Sequence, residues 1–375
     1  MAFEQTLPDK KRQLHSTQQI VTRPTERESS TPELPIDLAR FLQQSIGDTS
    51  IPEDSVVLSG LPEMNAMMES SPRSGESPCV VGLHRLNDIR YINKFLEVVN
   101  SRLSDGGWII GCVETNGQRH SKIMRKYPPK SIGRIIYFFD FLIHRVWPKL
   151  PHLRKLYFHL LKGKGRALSE METIGRLISC GFKLINAEPM GKKYYFIAFK
   201  NGSPAFNYHA SYDPLIRLQR AGKDGKPIKV LKLRTMYPYS EYLQEYIYEQ
   251  QGLQEGGKFN KDPRINSVGR FMRRSFLDEL PMIINLLRGD LKLFGVRPLS
   301  KHYLSLYPQS FQEYRKKFKP GLIPPYYVDM PKSIDEIVES ERRYLEAYEQ
   351  HPWQTDFRYM IKAVYNIIIK KARSF

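Results

Sequence analysis

The chain has 375 residues, 41% of them apolar, which allows two or three domains with ordinary buried cores. Its 58 Lys and Arg against 39 Asp and Glu leave a charge of +19, which favours an anionic partner (nucleic acid, an anionic membrane surface or a phosphorylated substrate) without choosing among them. Scattered cysteines without CxxC or Cys/His spacing suggest no metal site, an N-terminus without an apolar stretch predicts no cleaved signal peptide, and no run of about twenty apolar residues offers a conventional transmembrane helix.

In chain order, residues 1–55 are polar and rich in Ser, Thr, Pro and Glu, and read as a mostly mobile leader with one apolar patch at Leu38–Leu42. A folded module is expected over 56–202. Leu86, Ile89, Ile92, Leu96, Val99 and Leu103 make a helical stripe ended by Asp105-Gly106-Gly107, and Trp108–Val113 reads as a buried strand. Ile135–Trp147 is apolar but interrupted by Asp140, His144 and Arg145, and a basic, aromatic-rich stretch follows it. Residues 132–162 therefore suit helices lying in a membrane surface, the alternative being a core helix pair. Ser169 with Glu172 predicts a capping box, and FKLINAEPMGKKYYFIAFKNG predicts two strands joined by a turn. Cys79, Cys112 and Cys180 sit in apolar or small-residue settings and read as buried free thiols, which fits a reducing compartment.

Residues 203–211 read as a linker to a C-terminal domain over 212–375. Leu218–Met236 (LQRAGKDGKPIKVLKLRTM) predicts a hairpin turning at Lys223–Lys226, with Lys232 and Arg234 on one strand face. A basic stretch, KFNKDPRINSVGRFMRR, then runs into Asp278 and Glu279. An amphipathic helix follows directly, with Pro281 in its first turn, Leu280, Ile283, Ile284 and Leu287 at helical spacing, and Gly289 at its end. Adjacent carboxylates at the positive end of a helix, among arginines, suit an anionic substrate, a divalent metal, or a carboxylate nucleophile attacking phosphorus. The bland alternative makes Asp278 a helix cap, as N-cap or in a Ser275-x-x-Asp278 box. Ile334–Phe375 reads as two helices, the last carrying Phe357, Met360, Ile361, Val364, Tyr365 and Ile368 for core or membrane.

With Phe318–Leu322 (FKPGL) downstream, these motifs in this order resemble the bacterial sugar transferases, the monotopic phosphoglycosyl transferases that start polysaccharide assembly on polyprenyl phosphate. The resemblance covers residues 212–330. It implies that Asp278 is the nucleophile and Glu279 the ligand of a catalytic Mg²⁺. It further implies that Lys232, Arg234, Arg264, Arg273, Arg274, Arg297 and Pro298 lie near the substrate. The substrates would be a UDP-sugar and undecaprenyl phosphate, met at the cytoplasmic face of the inner membrane. The family reads Gly-Pro-Arg-Pro where this chain has Gly295-Val296-Arg297-Pro298, which should alter loop stiffness more than chemistry. It also carries a hydrophobic re-entrant helix before the first hairpin, where this chain has a strand pair and a polar linker.

The helix, Gly-Gly turn, strand and closing hairpin of 56–202 are similar to the later half of a class I methyltransferase. No Gly-rich cofactor loop lies upstream, so the module reads as structural or docking and methyl transfer is not assigned. The expected architecture is α/β: a truncated Rossmann-like module, then a mixed α+β transferase domain with amphipathic helices. An inactive membrane-surface adaptor of a glycan assembly complex is the alternative, and homo-oligomerisation is left open. Nucleic-acid binding rests on charge alone, with no zinc finger, helix-turn-helix or RNP pattern behind it.

Overall fold

The computed structural model describes residues 34–70, 75, 77–207, 212–251, 262–370 and 372. Of the expected leader, residues 1–33 lie outside this range, but the rest is not a mobile tail. Helix α1 spans Ile36–Ile46 and buries Leu38, Phe41 and Leu42. The apolar patch in a polar stretch is the contact face of that helix.

The N-terminal module is built on one sheet. Strand β1 (Val56–Leu58) leads into α2 (Leu61–Glu69), β2 (Ser77–Arg85), α3 (Ile92–Arg102) and β3 (Leu103–Val113). Helices α4 (Asn116–Lys126), α5 (Lys130–Phe141), α6 (Pro151–Leu161) and α7 (Glu170–Ser179) follow, and the hairpin β4 (Phe182–Met190) and β5 (Lys193–Lys200) closes the sheet. The strand order is β1-β2-β3-β5-β4, parallel from β1 to β3 and antiparallel on both sides of β5. The helix, strand and closing hairpin thus follow the expected order. Alternate residues feed two buried faces, which is why these strands read as continuous apolar runs. Val80, Ile109, Phe196 and Ala198 pack with α2 and α3, while Tyr195 on the other face stacks with Phe41 of α1 at 5.8 Å. All three cysteines are buried and unpaired.

The C-terminal domain opens with the antiparallel hairpin β6 (Leu215–Ala221) and β7 (Pro227–Leu233), turning at Lys223–Gly225 as expected. After α8 (Gln244–Gln251) come α9 (Ser267–Arg274), a 3-10 turn at Leu277–Glu279, and α10 (Met282–Leu287). Strand β8 (Lys292–Phe294) pairs in parallel with β9 (Gly321–Ile323) across α11 (Lys301–Ser305) and α12 (Gln309–Lys316). That pairing sets the FKPGL segment beside GVRP, so closely that a Cβ on Gly321 would overlap Gly295. Helices α13 (Tyr326–Asp329), α14 (Ile334–Gln350) and α15 (Pro352–Ile368) complete an aromatic-rich core around Phe294, Tyr327 and Tyr344. No helix among the described residues is long and apolar enough to cross a membrane.

Several helices present apolar residues outward. On α10 and the residue pair before it, Leu280, Ile283, Ile284 and Leu287 are exposed, whereas Met282 and Asn285 are buried. On α15, Phe357, Ile361, Val364, Tyr365 and Ile368 are exposed. Helix α5 does the same with Ile132, Ile135, Phe138 and Phe139.

The two parts meet through an ionic and aromatic seam. Arg145 and Arg176 both pair with buried Glu172; Arg176 lies over Tyr239 at 4.6 Å and Arg145 over Tyr237 at 5.7 Å. Ser169 caps α7 by accepting the Glu172 amide at 3.1 Å, but the Glu172 side chain goes to the arginines, so only half of the predicted capping box forms.

Candidate active site

The site is assembled where α9 gives way to α10. Asn266 caps α9 by accepting the Gly269 amide at 2.6 Å. Gly269 lies flat on the Thr235 carbonyl, where a Cβ would overlap it. This close approach ties α9 to the end of the hairpin. Arg273 then reaches back, its Nε donating to Thr235 Oγ1 at 2.9 Å. Phe276, at φ 58°, turns the chain left-handed into the 3-10 turn that carries the acids, and its ring packs edge-on against Tyr327.

Asp278 is buried, and Glu279 beside it accepts from Lys232 Nζ at 2.6 Å. Neither capping arrangement forms. The helix proper starts at Met282 behind Pro281, and Ser275 Oγ donates to the Phe271 and Met272 carbonyls. Burial first, then the charge of Glu279, pushes the Asp278 carboxyl above the usual range; Lys232 and Arg273 partly offset this.

Glu279 and Lys232 open onto a cleft of about 1080 Å³, with Arg220, Arg297 and Pro298 also in its wall. Tyr303, Tyr326 and Lys332 line it too, the last two from the Pro320–Lys332 segment. Alanine 221 hydrogen-bonds the Leu299 carbonyl through its amide at 3.0 Å, which fixes the hairpin against the GVRP loop.

The C-terminal part of the chain, residues 204–370, matches the family model of the bacterial sugar transferases. It is 31% identical over 157 residues to an undecaprenyl-phosphate galactose phosphotransferase of Salmonella typhimurium, covering 40% of this chain and 31% of that protein. A UDP-glucose:undecaprenyl-phosphate glucose-1-phosphate transferase of Escherichia coli is 39% identical over 110 residues, 29% of this chain and 22% of its own length. The exopolysaccharide production protein ExoY of Sinorhizobium fredii is 33% identical over 131 residues, 34% of this chain and 54% of its own length. The chain thus spans between about a fifth and about half of these relatives' lengths.

Within residues 204–370, the residues singled out from sequence fall into groups. Asp278, Glu279, Lys232 and Arg273 are brought together, and Arg297 and Pro298 share the cleft with Lys232 and Glu279. Arg274 is exposed on α9. Arg264 forms a fork with Asp262, at 2.9 and 2.7 Å, and Arg234 Nε donates to the Asp213 carbonyl at 3.0 Å. Residues 258–261 and 252–257 lie outside the described residues.

Three contributors escaped sequence reasoning. Asn285, fully buried, accepts the Leu231 amide and donates to the Lys229 carbonyl and to Asp290, pinning α10 to β7. Arg220 borders the cleft near Arg297. Arg315, buried and paired with Glu341 at 2.7 Å, donates to the Arg297 carbonyl and so holds the GVRP loop. Only the alternation of β6 could have flagged Arg220; Asn285 and Arg315 carry no local signal.

Among the described residues, no group of three or more His, Cys, Asp or Glu gathers to hold a metal. Lys232 occupies Oε1 of Glu279, leaving Oε2 and the Asp278 carboxyl as hard oxygen donors. That set fits a small hard cation that keeps water and substrate phosphates as its remaining ligands.

Proposed function

We propose that this chain transfers a sugar 1-phosphate from a nucleoside-diphosphate sugar, a UDP-sugar by analogy with its relatives, to undecaprenyl phosphate. Asp278 would attack the phosphorus next to the sugar, forming a carboxyl–phosphorus bond as the bond to the nucleoside monophosphate breaks. An oxygen of the lipid phosphate would then attack the same phosphorus and release the aspartate. The observation that carries this reading is a buried Asp278 whose side chain is not spent on capping its helix, set beside Glu279 at the rim of a basic cleft.

The residues divide the work. Burial keeps Asp278 poorly solvated and the charge of Glu279 raises its basicity, both of which favour nucleophilic attack once the carboxyl is ionised. Lys232, Arg220 and Arg297 supply fixed positive charge along the cleft for two anionic substrates. Glu279, with Asp278 beside it, would hold Mg²⁺, which when bound would screen the phosphate charges. The lipid acceptor implies work at a membrane surface, and the outward apolar faces of α10 and α15 suit that setting.

The test is nucleotide release by the chain in detergent with Mg²⁺, undecaprenyl phosphate and a panel of UDP-sugars. Release should require the lipid and fall by roughly a thousandfold or more in Asp278→Asn. Folded protein that releases nucleotide from no donor would move the domain to the adaptor reading.

A further inference from the structure

Helix α5 is reversed relative to a helix packed on a protein in water. The residues it turns toward α4 are small or polar. A Cβ on Gly133 would press on the Tyr127 carbonyl and Met124, and Tyr137 meets His120 edge-on at 4.7 Å. Asp140 accepts Nε and Nη2 of Arg119 at 2.6 and 2.7 Å. One turn further on, Arg145 is buried against Glu172. The apolar residues point the other way: Ile132, Ile135, Phe138 and Phe139 are 47, 59, 57 and 57% exposed. Helix α6, which follows α5 after residues 142–150, exposes Leu156 and Leu160 as well, at 43 and 62%. Such a patch on one module marks an interaction site.

What surrounds it decides the partner. Lys130 and Arg134 are exposed on α5 itself. Beside α6 runs a groove of about 1320 Å³ lined by Arg90, Lys94, Arg154, Lys155, Lys162 and Lys164. Its acids are Glu69 and Asp88, and Asp88 is already engaged by Arg85 at 3.0 Å. Apolar side chains beside a groove in which cations outnumber acids match the boundary between lipid phosphates and acyl chains.

We propose that α5 and α6 form a docking surface for an anionic lipid bilayer, with Ile135, Phe138, Phe139 and Leu160 entering the interface and the groove cations meeting headgroup phosphates. This deepens the transferase reading, whose lipid acceptor resides in a bilayer, yet vesicle binding requires no turnover.

The experiment sediments the full chain with vesicles of phosphatidylglycerol and phosphatidylethanolamine, or of phosphatidylcholine alone. The chain should pellet with the anionic vesicles and be released by high salt. Ile135→Asp/Phe139→Asp should weaken binding on the order of tenfold or more, with an unchanged circular dichroism spectrum and unfolding midpoint. Lys155→Gln/Lys162→Gln should shrink the preference for anionic vesicles. An aspartate double variant that binds as the wild type does would overturn the assignment and move membrane contact elsewhere, α10 and α15 included. Wild type that ignores vesicles, but forms a dimer which the aspartate variant splits, would make the face an interface between copies instead. Asp278→Asn should bind vesicles normally. Vesicle binding without nucleotide release from any donor would sink the transferase reading and leave the docking surface standing.

Discussion

Asp278 and Lys232 carry the most testable electrostatics in the molecule. The Asp278 carboxyl is raised by burial and by Glu279, and Lys232 partly offsets both. The proposed attack by Asp278 needs an ionised carboxylate, so the acidic limb of kcat/KM should lie above the range of an exposed aspartate. Removing the cation in Lys232→Met should raise the Asp278 pKa further and shift that limb to higher pH; a limb that stays in place would separate Lys232 from the nucleophile. The acids themselves were legible in the sequence, because a dyad flanked by arginines and followed by proline is a local pattern. Asn285 was not, since a lone asparagine on a helix reads as a solvated residue, and its partners on β7 lie more than fifty positions away. Asn285→Ala would strand a buried amide and a buried carbonyl, and should cost about 3 kcal/mol, read as a lowered midpoint in urea unfolding.

At the level of elements, periodicity located the helices but not the side they bury. Leu280, Ile283, Ile284 and Leu287 have the spacing of a core stripe, yet they are exposed and α10 is held by Met282 and Asn285. An apolar stripe identifies a face that avoids water, and says nothing about whether protein or lipid covers it. The contact that positions α9 is of another kind, a glycine laid on a carbonyl. Gly269→Ala should push α9 from Thr235, break the Arg273–Thr235 hydrogen bond, and reduce nucleotide release far more than it lowers the unfolding midpoint. Equal losses in both would reduce Gly269 to a packing residue. The pairing of β8 with β9 sets GVRP and FKPGL side by side although two helices separate them in sequence.

Over the whole molecule, the seam between the two parts depends on one buried carboxylate. Burial alone would raise Glu172, but Arg145, Arg176 and Lys149 outweigh it and hold the carboxyl far below its usual 4.5. A depressed folded pKa contributes stability above the unfolded value and loses it as pH falls toward the folded one. The seam should therefore weaken progressively below about pH 4.5, with wild type losing stability on acidification. Glu172→Gln should flatten that dependence and cost about 3–5 kcal/mol at neutral pH, because two buried guanidinium groups lose their partner. A Gln variant as stable as wild type would show that the arginines are held by Tyr237 and Tyr239 instead. None of this network was legible in advance, since Glu172 looked like half of a capping box and the tyrosines lie some sixty residues downstream.

Helix α1 bears on how the protein is handled at the bench. A chain trimmed at residue 50, as the polar composition of its start invites, would lose Leu38, Phe41 and Leu42 together. Tyr195 would lose its stacking partner, and Asn186, whose Nδ2 donates to Ser45 Oγ at 3.0 Å, would lose that contact. The shortened product would expose an apolar strip on a finished sheet, and poor yields from it would report on the cut rather than on the protein.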